Sequence, residues 1–288
     1  MYTPSQEILI KYSKVLVNFA LRSWKWINKW DVVFVYIPEC AKPFLIPLQE
    51  TILESGWHPI IRYLPDWTSR NFYEKASMEQ IEFIPKELKE WEIKSKTHHI
   101  WIYAEADKHE LDGIDTQKIM NRIKANKPFR EWLDKKERDK KFSRTVCLYG
   151  TQAMADEVNL SIEEYRDQII TACYLDEADP VKKRQEINEL IITEKNKLDA
   201  LKIEKVHIKW EDVDLHIKIW ANRCRRAGSG CNIPSFEIFT SPDNRDVNGR
   251  IKLNQPLYRY GSLIKWIELE FKDGKITKAS AKENNKLI

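Results

Sequence analysis

The chain has 288 residues, 42% of them hydrophobic and 32% charged, which is typical of a folded protein with a sizeable core and excludes a disordered chain. Its 48 basic and 44 acidic residues leave a net charge of +4, too small an excess to favour nucleic acid as a partner. The longest apolar runs fall far short of the roughly 20 residues of a membrane span. Five cysteines without a CxxC pair, behind a charged N-terminus, predict a cytoplasmic protein with reduced thiols and no membrane partner.

Strand and helix patterns alternate along the first 173 residues. After a helix predicted over residues 6–28, four apolar runs predict strands, and a helical segment follows each of them. These runs are "DVVFVYIP", "HPIIRYLPD", "HHIWIYAEA" and "SRTVCLYG". The alternation predicts an α/β domain, Rossmann-like or flavodoxin-like, whose parallel sheet has helices on both faces. No G-x-G-x-x-G follows the first strand, so a dinucleotide site is not supported.

The pattern changes after residue 178. A charged helical segment over residues 179–200 reads as a connector, and short alternating segments with turn residues follow it. Asp273-Gly274 between two such segments is a strong hairpin signal. We therefore predict an N-terminal α/β domain over 1–178, a connector helix over 179–200, and a mainly antiparallel β (α+β) domain over 201–288.

Three pairs of residues offer nitrogen or sulfur ligands for a metal ion: His98 and His99, His207 and His216, and Cys224 and Cys231. The first pair opens a predicted strand, where a hydrogen-bonded core role is the commoner one. The second pair faces across a predicted hairpin, and metal ligation is again the minority interpretation. The cysteines are spaced more widely than in zinc knuckles, which favours two unrelated thiols. The charged run "KEWEIKSK" is interpreted as a solvated helix face.

Glu237 is the most distinctive acidic residue, because it lies inside the apolar segment "NIPSFEIFTSP". A buried carboxylate without a partner is strongly disfavoured in its charged form, so this side chain needs a cation, a hydrogen-bond donor or exposure. Two interpretations remain open from the pattern. Glu237 is an outward-facing strand residue between Phe236 and Ile238, or it is a metal ligand.

Several segments together resemble the thermophilic metallo-aminopeptidases of the aminopeptidase T and S type, over essentially the whole chain. They are "NIPSFEIFTSP", "NQPLYRYG", "IELEFKDGKI", "IPECAKP", "HPIIRYLPD" and "LYGTQAMADE". The resemblance implies removal of N-terminal amino acids from peptides, a homodimer, and two divalent metal ions (Zn, Co or Mg). It implies that the ions bind the peptide amine and carbonyl and lower the pKa of a bridging water. It also implies that Glu237 is a metal ligand.

The resemblance does not extend to the remaining ligands. In the family, a second Glu, two His and an Asp lie further along than Ile288, and the histidines of this chain do not stand at matching positions. One carboxylate cannot hold two ions, because each takes several ligands. We therefore expect an incomplete or inactive form of the enzyme, without catalytic residues of its own. The alternative is a non-catalytic α/β binding or assembly module that is derived from the same scaffold.

Glycine and tryptophan are out of proportion, with 8 glycines against 11 tryptophans; about 7% glycine, or roughly 20 residues, is usual. The family generally has glycine at seven positions where this chain has tryptophan: Trp24, Trp26, Trp30, Trp57, Trp67, Trp210 and Trp266. Each is a predicted turn or helix end, where the missing Cβ of glycine matters. Our hypothesis is that a codon translated here as Trp encodes Gly in the source organism; sequence drift is the alternative.

Overall fold

A computed structural model describes residues 4–22, 28–220, 223, 225–228, 230–259 and 261–288. Trp24, Trp26 and Cys224 lie outside these residues. The chain divides into two units: unit 1 comprises the residues up to Glu189 together with Gly228–Phe236, and unit 2 comprises Leu190–Ala227 and Glu237–Ile288.

The strands of the described residues are, in chain order, β1 (Val32–Pro38), β2 (His58–Leu64), β3 (His98–Tyr103), β4 (Ser143–Leu148), β5 (Lys205–Trp210), β6 (Val213–Lys218), β7 (Arg226–Ala227), β8 (Asn232–Ile233), β9 (Ile238–Phe239), β10 (Val247–Leu253), β11 (Leu257–Arg259), β12 (Ser262–Ile264), β13 (Ile267–Lys272) and β14 (Lys275–Ser280). The α-helices are α1 (Gln6–Lys14), α2 (Leu45–Glu54), α3 (Thr68–Lys75), α4 (Met78–Glu82), α5 (Lys86–Ser95), α6 (Thr116–Arg138), α7 (Gln152–Asp156), α8 (Ile162–Ala172) and α9 (Pro180–Ala200). A π-helical segment, Val15–Leu21, continues α1, and short 3-10 helices cover Glu39–Phe44 and Asn285–Leu287.

Side-chain caps begin several of these helices. Ser5 accepts a hydrogen bond from the backbone N–H of Ile8 at the start of α1. Ser161 and Glu164 form a capping box at the start of α8. Such caps satisfy backbone donors that the first helical turn leaves unpaired, so they fix where each helix begins. None of the described helices is both long and apolar enough to cross a membrane.

A five-stranded parallel sheet organises unit 1, with strand order β2-β1-β3-β4-β8. This order, 2-1-3-4-5 among the strands of the sheet, is that of the flavodoxin-like doubly wound fold. Alternate residues of β1 face opposite sides: Val35 joins the core with α1 and α2, whereas Phe34 contacts Trp91 of α5. The predicted parallel sheet with helices on both faces is therefore confirmed.

The fifth strand was not expected from the sequence, which assigned all of 201–288 to the second domain. Strand β8 pairs with Val146 and Cys147 of β4, so Gly228–Phe236 belongs to unit 1. Gly230 makes this return possible, because a Cβ there would come within 2.7 Å of the Cα of Ala20. A two-residue strand with one close backbone approach leaves little periodic signal, which is why the pattern missed it. The two units divide inside α9, between Glu189 and Leu190.

Unit 2 is built on an antiparallel sheet of order β14-β13-β10-β6-β5, as the sequence predicts for this region. The Asp273-Gly274 pair forms the predicted hairpin between β13 and β14, and both residues have positive φ, +50° and +74°. Positive φ at both central residues is the requirement of a type I′ turn. Two small pairs, β11–β12 and β7–β9, complete the unit.

The described tryptophans of the glycine hypothesis differ in their surroundings. Trp67 and Trp266 have positive φ, +63° and +56°, which is the conformation that glycine adopts at low cost. Trp30 and Trp210 are strongly exposed. Trp57 is buried and stacks on the His98 ring with centroids 5.4 Å apart, so this indole fills core volume. Two of the five described positions therefore have the backbone geometry that the hypothesis expects.

Candidate functional site

Glu237 is an exposed residue in the link between two short strands. β8 ends at Ile233 and β9 begins at Ile238, and the carboxylate between them is exposed to solvent. Of the three ways to accommodate a charged carboxylate here, a cation, a hydrogen-bond donor or exposure to solvent, the structure shows exposure. The residues on both sides of Glu237 are held in place by buried or paired charges, which are described next.

Arg184 of α9 contacts the segment that precedes Glu237. Its Nη2 donates a hydrogen bond to the carbonyl oxygen of Ser235 (3.1 Å), and its guanidinium lies 5.0 Å from the ring centre of Phe236 and 5.3 Å from that of Phe19. The side chain is only 2% exposed, and its Nε and Nη1 make no hydrogen bond with the described residues. Burial lowers the pKa of Arg184 from its usual value.

Asp243 holds the chain that follows β9. Its carboxylate accepts two hydrogen bonds from the Arg245 guanidinium (2.9 and 3.0 Å) and one from Nε1 of Trp220 (2.6 Å). The bonds from Arg245 hold the pKa of Asp243 well below its usual range. This carboxylate therefore stays charged and acts as a fixed anchor rather than as a base.

A second acidic anchor holds β7, the partner strand of β9. Oδ1 of Asp199 accepts hydrogen bonds from the backbone N–H of Arg225 (3.0 Å) and from its Nη1 (3.2 Å). The bond from the backbone N–H of Arg225, followed by the one from Lys195, lowers the pKa of Asp199 to about 2. Because Arg225 directly precedes β7, this pair fixes the strand on which β9 is built.

A different group of ligand-type side chains gathers on the β5–β6 hairpin. His207 and His216 are directly opposed in the strand register, and their rings stack with centroids 3.9 Å apart. Nε2 of His207 donates to Oδ1 of Asp214 (2.7 Å), and Nε2 of His216 lies 3.8 Å from the same oxygen. The hydrogen bond from His207 lowers the pKa of Asp214. The predicted opposition of the two histidines is confirmed. Asp214 was not predicted to join them, although its i, i+2 spacing from His216 places both side chains on one face of the strand.

The other histidine pair behaves as the core interpretation predicts. His98 is completely buried; its Nε2 donates to Oδ2 of Asp31 (2.9 Å) and its Nδ1 accepts from the Ser143 hydroxyl (2.7 Å). The arrangement has the residue types of a Ser-His-Asp triad. However, Ser143 is fully buried, and all three residues lie at the amino ends of parallel strands, whereas ligands of such sheets bind at the carboxyl ends. We interpret it as a link that ties β1, β3 and β4 together.

His99 points to the opposite face of the same strand and packs against Tyr36, Trp101 and Phe142. Its Nε2 is buried and makes no hydrogen bond with the described residues. Burial, and then the charge of Lys96, lower the pKa of His99 to about 3. This histidine is therefore neutral at physiological pH. A ligand role is not supported for either member of the pair, because neither belongs to the group of closely spaced ligand-type side chains found among the described residues.

The interpretation of "KEWEIKSK" as a solvated helix face was wrong at two positions. Glu92 and Lys96 are both buried and form an ion pair (3.2 Å), and the hydroxyl of Tyr36 donates to the same Glu92 oxygen. Burial acts to raise the pKa of Glu92, but the bond from Tyr36 and the charge of Lys96 lower it to about 2. The high charge of the segment suggested a surface position. Glu92 and Lys96 are spaced i, i+4, so they can form an ion pair with each other in the core.

Comparison with known proteins places the whole chain in one family. A family model for thermophilic metalloproteases (M29) matches residues 5–288. Aminopeptidase PepS of Streptococcus thermophilus is 23% identical over 98% of this chain and 72% of its own length. Aminopeptidase AmpS of Bacillus subtilis is 24% identical over 91% of this chain and 68% of its own length. Among solved structures, wild-type AmpT from Thermus thermophilus is similar at a TM-score of 0.82 and 19% identity, covering 98% of this chain and 73% of that one. The chain thus belongs to the thermophilic metalloprotease (M29) family.

Proposed function

We propose that this chain is a metal-dependent aminopeptidase scaffold in which Glu237 supplies a carboxylate ligand to a divalent ion, and that the 288-residue chain does not hydrolyse peptides by itself. The observation that carries the proposal is the family match over residues 5–288, together with relatives that are named aminopeptidases. Peptides with a free N-terminus would be the substrates of the family reaction.

The position of Glu237 supports the ligand role. Its carboxylate is exposed, so an ion can reach it, and the flanking segments are anchored by Arg184 on one side and Asp243 on the other.

The described residues do not fit a two-ion centre around this carboxylate. Over the ranges that the structure describes, the group of three or more closely spaced histidine, cysteine, aspartate or glutamate side chains is His207, Asp214 and His216, and it does not include Glu237. Each ion of a two-ion centre takes several protein ligands. For this reason we expect the chain to be inactive alone, and we assign no catalytic step to it.

The separation of Glu237 from the histidine–aspartate group also favours a second candidate. This is a binding or assembly module that has kept the aminopeptidase scaffold but not the metal-dependent hydrolysis. The two candidates differ in whether Glu237 still binds an ion. In the scaffold of an aminopeptidase it does, whereas in a module without metal chemistry the residue is only an exposed polar side chain.

Hydrolysis of leucine p-nitroanilide with added Zn²⁺, Co²⁺ or Mg²⁺ tests the inactivity. We expect no turnover above that of the metal ions alone, for the chain and for its Glu237→Gln and Glu186→Gln variants. Glu186 is an exposed residue of α9 and serves as the matched control. Turnover that persists in Glu186→Gln and disappears in Glu237→Gln would refute the inactivity.

Paramagnetic broadening by Mn²⁺, which prefers carboxylate oxygen, tests the ligand role. Backbone amide signals of residues 236–239 should broaden in the unsubstituted chain and in Glu186→Gln, but not in Glu237→Gln. Equal broadening in all three proteins, or none in any, would favour the module over the aminopeptidase scaffold.

A further inference from the structure

The β5–β6 hairpin presents three ligand-type side chains on one face. His207 on β5 is paired with His216 on β6, and Asp214 precedes His216 by two residues on the same strand. Residues two apart on a strand share a face, and paired residues on neighbouring strands lie side by side. The two strands are joined by the two residues Glu211 and Asp212, so the hairpin fixes this placement without help from a long loop.

The ligand atoms are close enough to share one ion. One nitrogen from each histidine and one oxygen from Asp214 all lie within 4.8 Å of one another. Both histidine Nε2 atoms are directed to Oδ1 of Asp214, at 2.7 and 3.8 Å. The side chains of His207, Asp214 and His216 are 42%, 43% and 65% exposed, so the rings can rotate to converge on an ion that enters from solvent.

We propose that His207, His216 and Asp214 form a binding site for a borderline divalent transition metal, represented by Zn²⁺, with water completing the coordination. Two imidazole nitrogens and one carboxylate oxygen are a donor set that suits Zn²⁺ and disfavours Mg²⁺ and Ca²⁺, which prefer oxygen ligands. The site requires no residue outside the hairpin. It is independent of whether Glu237 binds an ion.

Neighbouring charges modulate the site without excluding it. Lys209 on β5 and Arg250 on β10 are both register partners of Asp214 and oppose the approach of a cation. Glu270 on β13 is the register partner of Arg250 and also pairs with Lys278 (3.1 Å), so the row of side chains alternates in sign. The cation therefore meets a nearly balanced surface, and its affinity rests on the three ligands.

Calorimetric titration of the EDTA-treated 288-residue chain with ZnCl2 tests the proposal. We expect one zinc site whose affinity falls roughly tenfold or more in His207→Ala and in His216→Ala, and by a smaller factor in Asp214→Asn. His58→Ala is the matched control, since His58 is exposed on β2 of unit 1 and should leave zinc affinity unchanged. MgCl2 should give no comparable heat, because Mg²⁺ prefers oxygen ligands.

A direct readout does not depend on how the variants fold. In the unsubstituted chain, one equivalent of Zn²⁺ should shift the side-chain nitrogen resonances of His207 and His216 but not that of His58. Unmoved resonances, an absence of zinc binding, or a His207→Ala/His216→Ala double variant that binds zinc as tightly as the unsubstituted chain would each overturn the site.

Discussion

Two groups of side chains, one in each unit, contain a histidine that donates to an aspartate at nearly the same distance. In unit 1, Nε2 of His98 lies 2.9 Å from Asp31, and in unit 2, Nε2 of His207 lies 2.7 Å from Asp214. The first group is buried and the second is exposed. The bond geometry is shared, so burial rather than contact distance separates a structural link from an accessible ligand group.

Burial also determines how far the free energy of unfolding falls when one member of a group is removed. When the partner of a buried donor or acceptor is removed, no water can take its place and the group stays unsatisfied. An exposed group forms a hydrogen bond with water instead. Ion pairs follow the same rule: an exposed pair contributes about 0–1 kcal/mol, and breaking a buried pair costs several times more. Substitutions in unit 1 and matched ones in unit 2 therefore separate the two roles.

The largest contrast is expected between two lysines that pair with glutamates. Lys96→Met in unit 1 removes the buried cation of Glu92 and leaves the carboxylate with Tyr36 and the more exposed Lys89, which should lower the free energy of unfolding by about 3 kcal/mol. Lys278→Met in unit 2 removes the exposed partner of Glu270 and should cost less than about 1 kcal/mol. Urea unfolding of both variants measures the two losses. Equal losses would show that burial does not distinguish the pairs.

The next contrast is between the histidines themselves. His98→Ala leaves Asp31 and the Ser143 hydroxyl without their partner and opens a cavity against Trp57, which together should cost about 2–3 kcal/mol. His207→Ala should change the free energy of unfolding by less than about 0.5 kcal/mol, because its side chain is exposed. Urea unfolding in EDTA, which removes any bound metal, makes the comparison. A loss at His207 as large as that at His98 would contradict it.

Acidification should weaken unit 1 through its buried histidines. The pKa of His98 is lowered by burial and that of His99 is lowered to about 3. As the pH falls, both histidines are therefore protonated in the unfolded chain, near pH 6.5, before they are protonated in the folded chain. The histidine contribution to stability is complete above pH 6.5 and is lost as the pH falls towards the folded-state values. For His99 alone this amounts to about 1.4 kcal/mol per pH unit, or about 2 kcal/mol between pH 6.5 and pH 5.

His99→Phe isolates that effect. The aromatic neighbours Tyr36, Trp101 and Phe142 should accept the ring, and the variant should lose less stability than the parent between pH 6.5 and pH 5. His58→Phe, at an exposed position, should leave the pH dependence as it is in the parent. Parallel pH profiles for the parent and His99→Phe would show that His99 is protonated in the folded state.

The sequence predicted what periodicity and turn chemistry encode. The four strands β1–β4, the Asp273-Gly274 hairpin and the opposition of His207 and His216 follow from local patterns. It did not predict features that depend on contacts distant along the chain. β8 joins β4 across more than 80 residues, and Arg184 meets Ser235 after 51 residues. Burial of Glu92 and Lys96 was missed because charge alone does not report pairing in the core.

The smallest expected effect concerns the backbone, and it should be alike in both units. Trp67 in unit 1 and Trp266 in unit 2 have positive φ, which costs a residue with a Cβ about 1 kcal/mol relative to glycine. Trp67→Gly and Trp266→Gly should therefore each raise the free energy of unfolding by up to about 1 kcal/mol. Trp30→Gly is the control; Trp30 is exposed and is not among the described residues with positive φ, so glycine there should give no gain. A higher free energy of unfolding in all three variants, or a lower one in Trp67→Gly and Trp266→Gly, would show that positive φ does not determine the effect of glycine. Either result would remove the structural support for a glycine-encoding codon.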